Sequence, residues 1–212
     1  MDPKSHWEAI YGKKRPEEVS WYQPEATLSL ELIRAVASLE SAIVDVGGGA
    51  STLVDGLLRA GYRQLTILDL SVSALNAAQR RLGASARMVS WREGDVLTTD
   101  LGVTPIDIWH DRAVFHFLTD VTDRERYIAQ VRRAVRVGGH VLVATFAEDG
   151  PSRCSGLEVA RYSPQGLHGA FGSDFRLIAS RREEHLTPRG ARQAFTYCLC
   201  RFEPAAYVRP AA

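Results

Sequence analysis

The stretch that decides the fold reads Ser41-Ala42-Ile43-Val44-Asp45-Val46-Gly47-Gly48-Gly49-Ala50-Ser51. Residues 42–46 are an apolar run ending in an acid, which predicts a buried parallel strand, and a helix is expected to begin near Ser51. Three glycines let the backbone turn sharply and approach a ligand closely. The helix that follows presents unpaired N–H groups to that ligand. Open α/β sheets bind ligands at the carboxyl ends of their strands, so the stretch predicts a binding site there.

Two nucleotide-binding motifs can be compared with this turn. A P-loop needs G-x-x-x-x-G-K-[ST], and the sequence has no Gly-Lys-Ser or Gly-Lys-Thr. A dinucleotide fingerprint needs a third glycine where this chain has Thr52. Asp45 would repel a pyrophosphate but attract a cationic amino-acid group, directly or through water. A dinucleotide-dependent oxidoreductase remains the alternative, because Asp69 would also suit an NAD ribose.

Further motifs follow in order at the spacing of βα units. They are a strand ending in an acid (65–71), an acidic loop (92–96), a strand ending His-Asp-Arg (106–112) and a Gly-Gly turn with a strand (138–144). Together with the glycine turn, they resemble class I S-adenosylmethionine-dependent methyltransferases, with Asp45 and the glycines as motif I. The resemblance is strong over residues 42–147 and extends to the flanks only by architecture.

The resemblance implies an α/β fold, a Rossmann-like doubly wound, mostly parallel seven-stranded sheet with an antiparallel last strand and a small N-terminal helical cap. It implies methyl transfer from S-adenosylmethionine, leaving S-adenosylhomocysteine. Asp45 and the glycines would hold the amino-acid portion, Asp69 the ribose and Asp95 the adenine. The full set of predicted cofactor contacts is Asp45, Gly47, Gly48, Gly49, Asp69, Leu70, Asp95, Val96, His110, Trp21 and Tyr22.

Length and composition are those of one globular domain, since 212 residues with 45% hydrophobic residues can bury a full core. We divide it into a cap and first helix (1–40), a cofactor-binding core (41–147) and a substrate-side segment with a C-terminal β-hairpin (148–212). Apolar periodicity and caps predict helices over 24–40, 51–60, 71–82, 122–135 and 163–171. Strands are predicted over 42–46, 64–70, 86–91, 106–110, 140–146, 175–184 and 192–202.

The charge and cysteine content restrict partners and compartment. A net charge of +1 gives no overall field to recruit nucleic acid or an anionic membrane. No apolar run reaches membrane-spanning length and no signal peptide begins the chain, so a cytoplasmic protein is expected. Three cysteines without C-x-x-C spacing predict neither a disulfide framework nor a metal site.

Aromatic residues are concentrated before the first strand. Trp7 and Tyr11 share one face of a short predicted helix, and Trp21 and Tyr22 follow. Aromatic faces attract onium cations, and in related methyltransferases an N-terminal helix often closes the pocket. We therefore predict a lid with Trp21 and Tyr22 beside the sulfonium. The alternative is a helix packed on the edge of the domain.

The end of the fourth strand is the predicted place of catalysis. His110 and Asp111 are candidates for a general base and its orienting acid. In the alternative, Asp111 and Arg112 form a structural ion pair and His116 packs under the cofactor. Many methyl transfers need only proximity and alignment, so a base is not required by the reaction type.

The acceptor site is predicted from the cap, the fourth strand and residues 151–162. Its candidate contacts are Tyr22, His116, Arg153, Arg161 and Tyr162, with Cys154 nearby; an ordinary surface loop is the alternative. A small-molecule acceptor is the main hypothesis. The Trp21-Tyr22 pair and the Gly49-Ala50-Ser51 turn loosely resemble methyltransferases of translation-factor lysines, so a protein lysine is the second. A non-catalytic cofactor-binding regulator is the third.

Nucleic-acid bases are disfavoured as acceptors, because no Asn-Pro-Pro-Tyr type motif follows the fourth strand. The sequence does not indicate an oligomeric state.

Overall fold

The computed structural model describes residues 2–101 and 105–205, and its centre is a seven-stranded sheet. Apolar, β-branched runs form the inner strands, which are buried on both faces. The nine strands are β1 (Ile43–Val46), β2 (Leu65–Asp69), β3 (Val89–Glu93), β4 (Ile106–Arg112), β5 (Val135–Phe146), β6 (Arg153–Cys154), β7 (Leu157–Glu158), β8 (Phe175–Leu186) and β9 (Arg192–Phe202).

The strand order in the sheet is β3-β2-β1-β4-β5-β9-β8. β1 pairs in parallel with both β2 and β4, so the chain reverses its direction of winding beside β1. β9 lies antiparallel to both of its neighbours, β5 and β8. This topology confirms the predicted doubly wound α/β fold with its antiparallel last strand, and it places the glycine turn after β1 at the topological switch point, where such sheets bind ligands.

Helices cover both faces of the sheet, and local sequence signals set several of their ends. Ser71 caps the helix that follows β2 by accepting from Ala74 N, and Gly83 ends it with φ +56°. Ser163 caps the helix before β8. The helices are α1 (Pro3–Lys13), α2 (Thr27–Arg34), α3 (Leu53–Arg59), α4 (Val72–Leu82), α5 (Val121–Ala134) and α6 (Pro164–Phe171).

Several predicted boundaries are wrong. β3 was predicted over 86–91 but begins at Val89, because Gly83–Met88 form a 3-10 helix. The helix predicted over 24–40 is only α2, because Ser41 Oγ accepts from Ser38 N at 3.1 Å and replaces a helical bond with a turn. β5 begins at Val135 instead of 140, and the pairing of β4 with β5 shifts register between Ile106 and Ile108. α5 begins before Thr122, because Asp120 is its cap and accepts from Thr122 N at 2.7 Å.

Two hydrophobic clusters fill the two faces of the sheet. Alternate strand residues divide between them: Ile43 and Ile108 pack in one, and Val44 and Trp109 in the other. Each such fully buried side chain stabilises the fold by about 1.5–3 kcal/mol. The packing leaves the carboxyl ends of β1, β2 and β4 at one edge, where polar residues follow the strands.

The N-terminal helix α1 lies across this edge and has no fully buried residue. Lys4 forms an ion pair with Glu93 at the end of β3, and Glu8 Oε1 accepts from Ser73 N at 3.2 Å. The predicted N-terminal cap is therefore present as a helix held by side-chain contacts. Within the described ranges, no helix is both long and apolar enough to cross a membrane.

Candidate active site

The glycine turn forms a cradle that side chains would fill. Gly47 and Gly49 have positive φ angles of 65° and 25°. A Cβ atom on Gly48 would lie 2.5 Å from Asp45 Oδ2, and one on Gly49 would lie 2.5 Å from Asp69 Oδ2. Both contacts are shorter than real Cβ contacts, so glycine is required for the backbone to approach the two acids.

Asp45, at the base of this cradle, keeps one oxygen unpaired. Its carboxylate is 2% exposed, and Oδ1 lies 2.7 Å from His110 Nδ1. Oδ2 is buried and has no hydrogen-bond partner among the described residues. A buried acceptor without a partner costs free energy, so this oxygen fits a ligand that brings a donor such as an ammonium group.

The two acids predicted for the nucleoside lie along the same edge. Asp69 ends β2 and is half-buried; its Oδ1 accepts from Ser71 N at 2.8 Å, and burial raises its pKa to about 7. Asp95 Oδ1 accepts from Leu97 N at 2.8 Å beside the buried Val96. These three residues line one cavity together with Leu70, as predicted for a single nucleoside site.

This cavity is about 470 Å³, and a smaller one of about 50 Å³ adjoins it beside Asp45. Four residues line both: Tyr11, Trp21, Gly47 and Arg112. His110 and Tyr22 line only the smaller cavity. All of the predicted cofactor contacts except Gly49 therefore line one or both of two adjoining cavities.

Aromatic rings from the N-terminal segment cover the larger cavity. The Trp7 ring meets Trp21 edge-on at 5.6 Å and Phe117 at 5.2 Å, and Trp21 Nε1 donates to Tyr11 Oη at 3.2 Å. Trp7 and Tyr11 thus line the larger cavity together with Trp21, whereas Tyr22 does not. The assignment of these rings to a sulfonium stays a prediction.

His110 is held by hydrogen bonds at both ring nitrogens. Besides Asp45, its Nε2 lies 2.9 Å from Ser29 Oγ, and the side chain is 2% exposed. A general base needs a free nitrogen near the proton that it removes. In this arrangement His110 orients Asp45, and its predicted catalytic role has no free ring nitrogen to support it.

Asp111 points away from the site, which contradicts its predicted catalytic role. It is 0% exposed and accepts from Val114 N at 2.8 Å, Phe115 N at 3.0 Å and Tyr127 Oη at 2.6 Å. Burial raises its pKa to about 6. Adjacent strand residues face opposite sides of a sheet, so His110 and Asp111 cannot form a base–acid pair.

Arg112 forms an ion pair with Glu183, at 3.2 Å, and not with Asp111, so the predicted Asp111–Arg112 pair is wrong. The guanidinium also donates to Tyr197 Oη at 2.9 Å and to the Trp21 carbonyl at 3.2 Å. The sequence could not show this cluster, because Glu183 is 71 residues away along the chain.

His116 does not reach the acceptor side of the cavity, contrary to the prediction. It is 0% exposed, its Nδ1 accepts from Phe146 N at 3.4 Å, and burial lowers its pKa to about 3. Its ring packs between Phe117 and Phe146 in the core. This environment is that of a structural histidine, and His116 lines neither cavity, so it does not support the alternative of packing under the cofactor either.

The stretch 151–162 contributes to the cavity through residues other than those predicted. It contains the β6–β7 hairpin, and Cys154, Leu157 and Glu158 line the larger cavity. Arg153 and Arg161 are exposed and do not line it.

Tyr162 also lies elsewhere, in a separate cleft beside Arg182. None of the three predicted substrate contacts Arg153, Arg161 and Tyr162 therefore lines the larger cavity.

The sheet order and the acid–glycine site define a Rossmann-like nucleoside-binding protein. A family model described as "Methyltransferase domain" matches residues 43–139. Among curated proteins, the eEF1A lysine and N-terminal methyltransferase of Danio rerio is 25% identical over 147 residues, covering 68% of this chain and 21% of that protein. The chain thus spans about a fifth of that relative's length.

Solved structures match nearly the whole chain. One is from a study of the conversion of a disulfide bond into a thioacetal group during echinomycin biosynthesis, with a TM-score of 0.75, 18% identity and coverage of 94% of this chain and 93% of that one. Another is 1,6-didemethyltoxoflavin-N1-methyltransferase of Burkholderia thailandensis with bound 1,6-didemethyltoxoflavin and S-adenosylhomocysteine. It has a TM-score of 0.73 and 18% identity, and the match covers 95% of this chain and 87% of that one.

Residues 43–139 thus resemble a methyltransferase domain, and the chain has the fold of the solved methyltransferases. These similarities indicate S-adenosylmethionine as the cofactor. The residues present fit that molecule, because the unpaired Asp45 oxygen lies where a donor is missing and the glycine cradle leaves room for a close approach.

Proposed function

We propose that this protein transfers a methyl group from S-adenosylmethionine to a small-molecule acceptor. The observation that carries this is the covered cavity, which continues from Asp69 and Asp95 beneath α1 and reaches the β6–β7 hairpin. At about 470 Å³ it falls within the range of small-molecule sites, about 300–1,000 Å³.

In the proposal, different residues of this chain hold different parts of the cofactor. Asp45 and the three glycines hold the amino-acid end, Asp69 and Leu70 the ribose, and Asp95 and Val96 the adenine. Trp21 and Tyr22 lie beside the sulfonium. The bound cofactor supplies an already activated methyl group, so the protein's main contribution is to align an acceptor with it.

A protein lysine is the second candidate acceptor, and the relative from Danio rerio favours it. The Trp21-Tyr22 pair before the first strand is the local feature that supports it. The helix α1, which covers the larger cavity, disfavours a lysine acceptor, because a lysine on a folded protein needs an open groove. The solved relative with bound 1,6-didemethyltoxoflavin is a precedent for a small acceptor on this fold.

We propose a reducing cytoplasm as the compartment. All three cysteines are buried and unpaired, as they would be where thiols are kept reduced.

Calorimetry with S-adenosylmethionine and S-adenosylhomocysteine is the first test, and we expect binding below millimolar concentration. Methyl-labelled cofactor is then incubated with the protein and a cell extract that is separated into protein and small-molecule fractions. Label in the small-molecule fraction supports the proposal. Label on a protein band instead supports the lysine acceptor, and tight binding without any labelled product supports a regulatory role.

A further inference from the structure

The part of the cavity beyond the predicted cofactor contacts is acidic and aromatic. Asp123 of α5 and Glu158 of β7 line it from two sides, and Trp7 and Phe117 form its wall. Arg112 is the only cationic side chain among its described lining residues, and the Glu183 carboxylate neutralises it. An acidic rim over an aromatic wall favours a positively charged guest.

An alkylammonium acceptor must lose a proton before its nitrogen can attack, so the cavity needs a group that takes it. Burial raises the pKa of Cys154 to about 11, and burial also raises the pKa of Tyr11 above its ordinary value. Neither group is a base at neutral pH. His110 has both ring nitrogens engaged.

Apart from the carboxylates, His6 is the remaining candidate base among the described residues that line the cavity. It lies on α1, and its ring meets Trp7 edge-on at 5.1 Å. Its Nε2 is buried and has no hydrogen-bond partner within the described part of the chain. A buried nitrogen without a partner is costly unless a ligand uses it, and imidazole is the side chain suited to proton exchange near neutral pH.

We propose that the acceptor is a small alkylammonium compound and that His6 Nε2 takes the proton that its nitrogen must lose. This rests on the proposed function and names its acceptor class. The nitrogen lone pair freed by deprotonation forms the new N–C bond as the S–C bond breaks, and that bond's electron pair stays on sulfur. R-NH₃⁺ and the sulfonium thus give R-NH₂CH₃⁺, the thioether and one proton, which passes from His6 to water.

His6 Nε2 is shielded from water in this structure, whereas the helix that carries it has no fully buried residue. The polar anchors of α1 to the sheet edge include the Lys4–Glu93 ion pair and the Glu8–Ser73 hydrogen bond. In the proposal, an outward shift of α1 against these contacts exposes the ring to the acceptor.

The test compares His6→Gln with the wild type on two sets of small acceptors at pH 7: alkylamines, which are protonated, and anilines, which are not. We expect His6→Gln to slow methylation of alkylamines by about 100-fold or more, as for loss of a general base, and to slow that of anilines far less. Added imidazole should restore part of the alkylamine rate. His140→Gln is the matched control, because His140 lies in β5 outside the cavity lining.

A second readout does not need turnover. In protein with ¹³C-labelled histidine and bound S-adenosylhomocysteine, adding butylamine should shift the His6 ring signals, which are assigned by their loss in His6→Gln. Unshifted signals, equal rates for His6→Gln and wild type, or a preference for phenols or thiols would overturn the inference. S-adenosylhomocysteine binding to both proteins is measured first by calorimetry; its absence in the wild type would instead overturn the proposed function.

Discussion

Asp69 is the residue whose removal should most directly weaken cofactor binding. Asp69→Ala removes the carboxylate predicted to accept from the ribose hydroxyls, and we expect a loss of about 1–3 kcal/mol, the scale of hydrogen bonds to charged groups. Calorimetry with S-adenosylhomocysteine measures it. Asp149→Asn is the control, because Asp149 is an exposed partner of Arg182. Unchanged affinity in Asp69→Ala would remove this residue from the site.

The same carboxyl should make the free protein less stable as the pH rises. Burial raises the folded-state pKa of Asp69 from 3.8 to about 7, so between these values the folded state holds a proton that the unfolded state has released. The contribution of Asp69 to the free energy of unfolding is therefore full below pH 4 and falls as the pH approaches 7.

The variant Asp69→Asn tests this sign. Without cofactor it should resist urea better than the wild type at pH 8, and the difference should shrink towards pH 4. Asp111, whose pKa is also raised, is present in both proteins and so does not affect the comparison. A constant difference across this pH range would show that Asp69 does not titrate as described.

Arg112 and Glu183 should depend on each other for stability. They are 9% and 16% exposed, and removing one partner of a buried pair costs about 3–5 kcal/mol, because the other charge is left uncompensated. We expect Arg112→Met to lose stability on that scale and Glu183→Gln in the same chain to recover part of it. Urea denaturation of both single variants and the double variant measures the coupling, and strictly additive losses would contradict the pairing.

At the scale of elements, α1 should move independently of the sheet. The Lys4–Glu93 pair is about half exposed, so its loss in Lys4→Ala should change overall stability by about 1 kcal/mol or less. Amide hydrogen exchange within α1 should nevertheless become faster, since the helix buries no residue fully. Lys13→Ala is the control, because Lys13 lies at the other end of the helix and forms no ion pair with any described residue. Equal exchange rates in both variants would show that the Lys4–Glu93 ion pair does not hold α1 on the sheet edge.

Local signals predicted some elements with correct ends. The strand β9 was placed correctly because the alternation of residue types is a property of adjacent residues. The helix α6 was placed with its correct end because its Ser163-Pro164 start is also a local signal. The start of β5 could not be found in this way, because Val135 joins the strand by pairing with Ile106 of β4. Tertiary pairing, absent from any short window, decided that boundary.

For the site, the residues predicted for the cofactor lie closer together than those predicted for the acceptor. Asp45 and Asp69 lie near the ends of β1 and β2, and Asp95 follows β3, so topology alone brings them to one sheet edge. His110 and Asp111 were paired by adjacency, which strand alternation rules out. His6 and Glu158 were missed because neither belongs to a motif, and only the folded position of α1 and β7 brings them to one cavity.

At the scale of the whole molecule, the beginning, middle and end of the chain meet at one place. Gln23 Nε2 donates to Glu183 Oε1 at 2.9 Å across 160 residues, and His185 Nε2 lies 2.7 Å from the Ser20 carbonyl. Contacts at such sequence separations form late in folding, because the loops that they close are long.

These contacts between distant parts of the chain have a consequence during synthesis on the ribosome. The nascent chain has made the glycine turn and all the acids of the cofactor site by residue 95, yet Arg112 and Trp21 lack their fixed positions until β8 has emerged. Ribosome-stalled chains ending near residue 150 should therefore capture S-adenosylhomocysteine far more weakly than stalled full-length chains that have cleared the exit tunnel. The cell would acquire a working cofactor site only as translation finishes.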